Sequence, residues 1–219
     1  NGKLKCGSDE VYNQSLDISD PLKILSRYKR SDDSNNIDIN NNNWLSDILT
    51  PSKKVIFLNY DKIPTIVETC DGDNITNKGE VELVKLCLEG MLRCEVKYED
   101  IGIMSLYRAQ LRLLKRELQE HEINGLEILT ADQFQGRDKR CVIISMVRCN
   151  KELHGGALLK ELRRVNVAMT RAKCKLIIIG SKRTIENIKE LTGFMKLLED
   201  NKWIYWLPSN SLVVYDFTG

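Results

Sequence analysis

RRVNVAMTRAK, at residues 163–173, is the stretch of this sequence that decides the fold. At about 100° per residue, an α-helix through it places four apolar side chains on one face: Val165, Ala168, Met169 and Ala172. Arg164 and Arg171 are seven residues apart and lie together on the flank of that face, half packed and half open. Because arginine is always charged and offers a planar fork of donors, it suits phosphate oxygens. The stretch therefore predicts a phosphate-binding helix, with a solvated surface helix as the alternative.

Apolar runs that suit buried strands lie on both sides of this helix, and further helices separate them. The five predicted strands cover residues 55–58, 101–106, 126–129, 141–147 and 175–180. A capping box, with Asn77 as N-cap and Glu80 three residues later, begins the helix after the first strand. Strands that are apolar throughout and alternate with helices predict an α/β fold, a three-layer sandwich with a mainly parallel sheet covered on both faces.

Changes in composition divide the chain into three parts. Residues 1–43 form an N-terminal segment that ends in a polar, asparagine-rich stretch, which we expect to be a disordered loop. Residues 44–183 carry the alternating strands and helices and form the predicted domain. Residues 184–219 form a C-terminal extension, with helix over about 184–201 and edge strands at 203–207 and 212–214.

Charge and cysteine content limit the classes of function. Lys and Arg number 33 against 31 Asp and Glu, so any contact with nucleic acid must be a local patch. The seven cysteines show no Cys-x-x-Cys spacing, which predicts no metal site and a reducing compartment, cytosol or nucleus. No apolar run has the length of a membrane span and no signal peptide precedes the domain. Because the chain begins with Asn1 rather than Met, we expect a fragment or a processed product.

Polar residues and arginines cluster in three segments, at 105–110, 130–138 and 163–173. Ligands of open parallel sheets bind beyond the carboxyl ends of the strands, and we expect the three segments to converge on that rim. Gly136 permits a tight backbone path, or serves as an ordinary turn glycine. Gln135 and Asp138 could bind nucleotide hydroxyls or stabilise the turn, and Arg108 could bind phosphate or pair with a neighbouring acid.

One absence is equally informative. The sequence contains no Gly-x-x-x-x-Gly-Lys-Ser/Thr loop and no acidic pair at a strand end that would hold magnesium. A nucleoside-triphosphate hydrolase needs both. The arginines could thus complement a triphosphate, while the groups that bind it are missing from this chain.

The three segments together resemble the motifs of superfamily 1 helicases. Residues 101–110 resemble motif IV, residues 130–148 motif V and residues 163–173 motif VI, in the family order and over about 44–183. The resemblance is to the superfamily 1B branch of the nonsense-mediated-decay helicase, and residues 1–9 and 134–139 favour the eukaryotic replication helicase/nuclease family. Asp138 departs mildly from the branch, where glutamate is usual.

The resemblance implies the second of two RecA-like domains, which clamp ATP and Mg²⁺ between them, with the phosphate loop and the magnesium acids on the first. It implies that Arg108 and Arg171 are arginine fingers reaching the γ-phosphate. It places four residues near the nucleotide, of which the first couples the cleft to nucleic acid: Gln135, Gly136, Asp138 and Arg164. Ser105 and Thr130 would contact the phosphates of a single strand, and no residue of this chain would hold a metal.

The implied function is the C-terminal motor half of a nuclear, ATP-dependent 5′-to-3′ DNA helicase of replication and repair. Its partners would be single-stranded DNA, the first RecA-like domain and a nuclease domain that carries the family's iron–sulfur cysteines, with no membrane. The isolated chain is expected to be inactive, with the cytoplasm as the alternative compartment. Two other functions stay open: an RNA helicase of the same branch, and a non-catalytic α/β interaction module, which the missing phosphate loop fits equally well.

Overall fold

A six-stranded parallel sheet forms the centre of the computed structural model, which describes residues 14–30, 42–134 and 136–218. The strands of the chain are β1 (Val55–Asn59), β2 (Thr69–Asp71), β3 (Asn74–Thr76), β4 (Ile101–Ser105), β5 (Glu127–Leu129), β6 (Lys139–Ser145), β7 (Ala172–Gly180) and β8 (Ile204–Trp206). The sheet order is β5-β4-β6-β7-β1-β8, with every neighbouring pair parallel. All five predicted strands are present, and the predicted α/β sandwich is confirmed. The antiparallel hairpin β2–β3 stands apart from this sheet.

Helices cover both faces of the sheet. The first layer contains α1 (Pro21–Leu25), α2 (Trp44–Leu49), α3 (Lys78–Arg93) and α4 (Arg108–Glu117), followed by the short α5 (Gln119–Ile123). The second layer contains α6 (Gly156–Lys160), α7 (Leu162–Met169), α8 (Lys182–Glu186) and α9 (Thr192–Asp200). Successive strand residues alternate between the two layers, so Ile143 joins the first core and Ile144 the second. Burial on both faces explains why the strands are apolar throughout.

The capping box that begins α3 forms only in part. The side chain of Asn77 accepts a hydrogen bond from the Glu80 N–H at 3.1 Å, as predicted. The Glu80 carboxylate does not return to the Asn77 N–H, which instead donates to the Gln110 side chain at 2.8 Å. Glu80 turns into the protein interior, because polar groups of β6 offer it partners there.

Helix α7 ends earlier than predicted. It spans Leu162–Met169, and Ala172 already belongs to β7, so Arg171 lies between helix and strand. The Arg171 carbonyl accepts a hydrogen bond from the Lys139 N–H, which fixes it to the sheet rather than to a helix. Ala168 is buried as predicted. The side chains of Arg163 and Val165, and the predicted asparagine-rich loop at 31–41, lie outside the described residues.

The C-terminal region completes the core. β8 pairs with β1 at the sheet edge, as predicted for 203–207, whereas residues 211–213 form a 3-10 helix and the predicted strand at 212–214 is wrong. The Ser211 carbonyl accepts a hydrogen bond from the Trp44 indole N–H at 3.2 Å. The Tyr215 ring meets Trp44 edge-on at a centroid distance of 6.1 Å. Anchoring α2 requires these residues to lie against the sheet rather than at its edge.

Candidate functional site

The predicted site residues lie at two opposite edges of the sheet. Ser105 is the last residue of β4, at the carboxyl edge, whereas Asp138 and Arg171 directly precede β6 and β7, at the amino edge. From Lys139 to Ser145, at about 3.3 Å per residue, the two edges are about 20 Å apart. The expected convergence of all three segments on one rim is wrong, because a chain that enters a parallel strand does so at the amino end.

The segment between β5 and β6 crosses one face of the sheet from edge to edge. It leaves the carboxyl edge at Thr130, whose hydroxyl accepts a hydrogen bond from the Gln133 N–H at 3.2 Å. Phe134 is fully buried beneath the crossing and packs on Gly102, where a Cβ would lie 2.4 Å from the Phe134 ring. The crossing thus carries one predicted motif to both edges.

Three predicted residues form the amino-edge cluster: Gly136, Asp138 and Arg171. Arg171 Nη1 lies 3.0 Å from Asp138 Oδ1, and its Nε donates to the Val167 carbonyl at 3.2 Å. Gly136 has a φ of +80°, and no atom lies within 4 Å of the position a Cβ would take. A guanidinium that is fixed, yet 23% exposed, beside open backbone can meet an anion that arrives from another domain. Gln135 lies outside the described residues.

At the carboxyl edge the structure separates accessible from inaccessible predicted residues. Ser105 is 1% exposed, and its hydroxyl accepts a hydrogen bond from the Tyr107 N–H at 3.3 Å. The predicted contact between the Ser105 side chain and a nucleic-acid strand is therefore wrong for this conformation, since the turn into α4 uses and covers the hydroxyl. Arg108 begins α4 and is exposed. Arg164 pairs with Asp132 at 3.5 Å and does not reach the amino-edge cluster.

Sequence reasoning missed a pocket beside these arginines, between the hairpin β2–β3 and α4. Its volume is about 400 Å³, and we call it the arginine pocket after its three basic residues, Arg108, Arg112 and Arg164. Arg112 Nη2 donates to the Asn74 side-chain oxygen of the hairpin at 2.8 Å. The Asp-Gly dipeptide at 71–72 is a hairpin signal that could have revealed this wall of the pocket.

A buried carboxylate fixes the carboxyl edge from inside. Glu80 accepts hydrogen bonds from the Tyr60 hydroxyl at 2.6 Å, the Ser145 hydroxyl at 2.5 Å and the Val147 N–H at 2.9 Å. Burial raises the pKa of Glu80 to about 7 although these bonds oppose the rise. Gln110 joins the same network through the Ser145 hydroxyl. This network ties α3, α4 and the end of β6 together.

A second carboxylate, Glu68, holds the loop that follows β6. Its Oε2 accepts from Arg148 Nε at 3.1 Å, the Cys149 N–H at 2.7 Å and the Asn150 side chain at 3.0 Å. Between the two carboxylates, Val147 has a φ of +73°, a strained value for a β-branched residue. The surrounding bonds over-determine that backbone and keep the carboxyl edge in one shape. Isolated glutamates give no sequence signal for such a role.

Metal and membrane sites were also considered for the part of the chain that the structure describes. There, no group of three or more His, Cys, Asp or Glu side chains is placed to hold a metal ion. Among the same residues, no helix has the length and apolar character to cross a bilayer. The donors of both edges are cations and backbone groups, which suit anions.

Comparison with known proteins gives consistent matches. A family described as "AAA domain" matches residues 3–183. The DNA replication ATP-dependent helicase/nuclease DNA2 of Saccharomyces cerevisiae is 59% identical over 98% of this chain and 14% of its own length. DNA2 of Homo sapiens is 36% identical over 95% of this chain and 19% of its own length. The Schizosaccharomyces pombe protein is 36% identical over 96% of this chain. The chain therefore spans less than a fifth of the length of these relatives.

Proposed function

Since this chain belongs to the AAA domain family and is a superfamily 1 helicase-like domain, we propose that it is the C-terminal motor half of an ATP-dependent 5′-to-3′ DNA helicase. The proposal includes its place in a replication and repair helicase/nuclease that acts in the nucleus. One observation carries the motor role: a rigid, partly exposed Arg171 lies beside Gly136 at a sheet edge, in a chain that has no phosphate loop. Such an arginine needs a triphosphate held by another domain.

The proposed chemistry at the amino edge is electrostatic. ATP and Mg²⁺ would be held chiefly by a first RecA-like domain, because the described residues here offer no set of carboxylates for the metal. When the two domains close, the Arg171 guanidinium would meet the γ-phosphate and stabilise the charge of the transferring group. An arginine finger contributes about 10³–10⁵ in turnover. Asp138 would orient the guanidinium, and Gly136 would let backbone approach the nucleotide.

The proposed role of the carboxyl edge is contact with the strand. Thr130 is the predicted strand-contacting residue that stays accessible there, and Arg108 and Arg164 lie at the same edge. Arg108 is thus proposed as a ligand of this edge rather than as a second finger, because about 20 Å separates it from the amino-edge cluster. The crossing segment 130–138 connects the two edges, so closure on ATP at one would move strand contacts at the other.

ATPase and unwinding assays of the full-length protein test this proposal. We expect hydrolysis that single-stranded DNA stimulates more than RNA does, unwinding that requires a 5′ overhang, and no hydrolysis by the isolated 219-residue chain. Stronger stimulation by RNA would replace the proposal by an RNA motor. A full-length protein that neither hydrolyses ATP nor binds a strand would instead identify an interaction module.

A further inference from the structure

The arginine pocket brings together cations from distant parts of the chain. Arg108 and Arg112 lie one turn apart on α4, and Arg164 comes from the start of α7. The hairpin β2–β3 forms the opposite wall, with Asn74 holding Arg112. Tyr107, whose hydroxyl donates to the Gly155 carbonyl at 3.2 Å, is fixed in the lining. These contacts pre-organise the pocket before any ligand arrives.

The charges of this pocket are not balanced from within. Arg164 shares its charge with Asp132 at 3.5 Å and Glu161 at 3.3 Å. Over residues 14–30, 42–134 and 136–218, neither Arg108 nor Arg112 forms an ion pair, and Asp73 is the acidic residue of the lining. Two guanidiniums that face one cavity without acidic partners repel each other, and an oxyanion between them would remove that repulsion.

The position of the pocket identifies the source of the oxyanion. It lies at the carboxyl edge, and the Arg164–Asp132 pair connects it to the turn that begins at Thr130. Ser105 is buried, so its side chain cannot supply a strand contact at this edge. We propose that the arginine pocket binds a backbone phosphate of single-stranded nucleic acid, with Arg112 as a ligand and the hairpin β2–β3 as its support. This inference rests on the proposed function and adds a site to it.

The test is Arg112→Ala in the full-length protein, with Arg116→Ala as the matched control. Arg116 lies one turn further along α4, is exposed, pairs with Glu117 at 2.9 Å and is outside the pocket lining. Anisotropy of a labelled oligonucleotide over a salt series measures strand affinity, and a fluorescent ATP analogue measures nucleotide affinity. We expect Arg112→Ala to weaken strand binding roughly tenfold, as for one charge-assisted contact, and to reduce the salt slope by about 0.7. Nucleotide affinity should stay unchanged.

Arg112→Lys separates charge from geometry. It should keep the salt slope but recover only part of the affinity, because lysine lacks the planar fork. Strand binding that is equal in the Arg112→Ala and Arg116→Ala variants would overturn the pocket while leaving the motor proposal intact. Weaker nucleotide binding with unchanged strand binding would assign the pocket to nucleotide phosphate and also overturn the inference. A wild-type protein that binds no strand would overturn both proposals together.

Discussion

Arg171 and Asp138 form an ion pair across the amino ends of two adjacent strands, with 3.0 Å between Nη1 and Oδ1. Both residues directly precede their strands, so the pair is fixed by the register that joins Lys139 to Ala172. The Thr170 hydroxyl accepts from Arg171 Nη2 at 3.1 Å. The guanidinium is therefore aimed by the sheet itself and would need little reordering to meet a phosphoryl group.

Arg171→Ala in the full-length protein should abolish ATP hydrolysis while ATP binding is retained. A finger stabilises the transition state more than the ground state, so turnover should fall by about 10³–10⁵. Steady-state ATPase and equilibrium binding of an ATP analogue measure the two effects. The pair is partly exposed and contributes at most about 1 kcal/mol to stability, so thermal unfolding should hardly change. Turnover near that of the wild type would remove Arg171 from the proposed role.

Gly102→Ala should destabilise the fold at the crossing segment. The added Cβ would lie 2.4 Å from the Phe134 ring, which has no room to retreat because it is fully buried. Overpacking of this kind costs about 1–3 kcal/mol. Gly193→Ala in α9 is the control, since nothing lies within 4 Å of its Cβ position and a helical alanine is favoured by about 1 kcal/mol. Urea unfolding should move the two midpoints in opposite directions, and equal shifts would contradict the packing described.

Val214→Ala should destabilise the protein although it lies in the C-terminal extension predicted from sequence. Val214 is fully buried, whereas its neighbour Val213 is 39% exposed. Truncating a buried valine removes apolar contacts worth about 1–3 kcal/mol, whereas the same change at an exposed position stays within about 0.5 kcal/mol. Chemical denaturation of the two variants makes this comparison. If both were equally stable, residues 207–218 would not belong to the core and the predicted boundary at 183 would stand.

The fold was largely predictable because its strands are buried on both faces. Runs such as 141–147 and 175–180 then read as strands without alternation, and helical spacing identified α3 and α4 between them. The hairpin β2–β3 was missed because it is short and exposed and contributes no apolar run. Residues 211–213 were misread because their apolar pattern serves contact with α2, which is a tertiary requirement.

The site was predictable by residue type but not by place. Arg171 and Asp138 do meet, yet the sequence analysis put them at the same rim as Arg108. Connectivity alone could have separated them, since a residue directly before a parallel strand lies at the amino end. The roles of Glu68 and Glu80 were not accessible, because their partners come from segments about 65 to 82 residues away in the chain. Such pairings follow from packing rather than from local spacing.

Stability should fall as pH rises from about 4.5 to about 7 through the titration of Glu80. Burial raises the folded-state pKa of Glu80 from 4.5 to about 7, so between these values the folded protein holds a proton that the unfolded chain releases. The contribution is fully present below the unfolded pKa and is lost through the folded one, on the order of 3 kcal/mol in total. Tyr60 keeps its proton throughout, because burial raises its pKa well above 10.

Glu80→Gln isolates this contribution, since other carboxylates titrate over part of the same range. The amide is neutral at every pH and keeps an oxygen to accept from Val147 or Ser145. Urea unfolding of both proteins from pH 5 to pH 7.5 should therefore give a difference in free energy that shifts in favour of the variant as pH rises. Parallel profiles would mean that Glu80 is ionised in the folded protein at every pH tested. The three hydrogen bonds it accepts would then outweigh its burial.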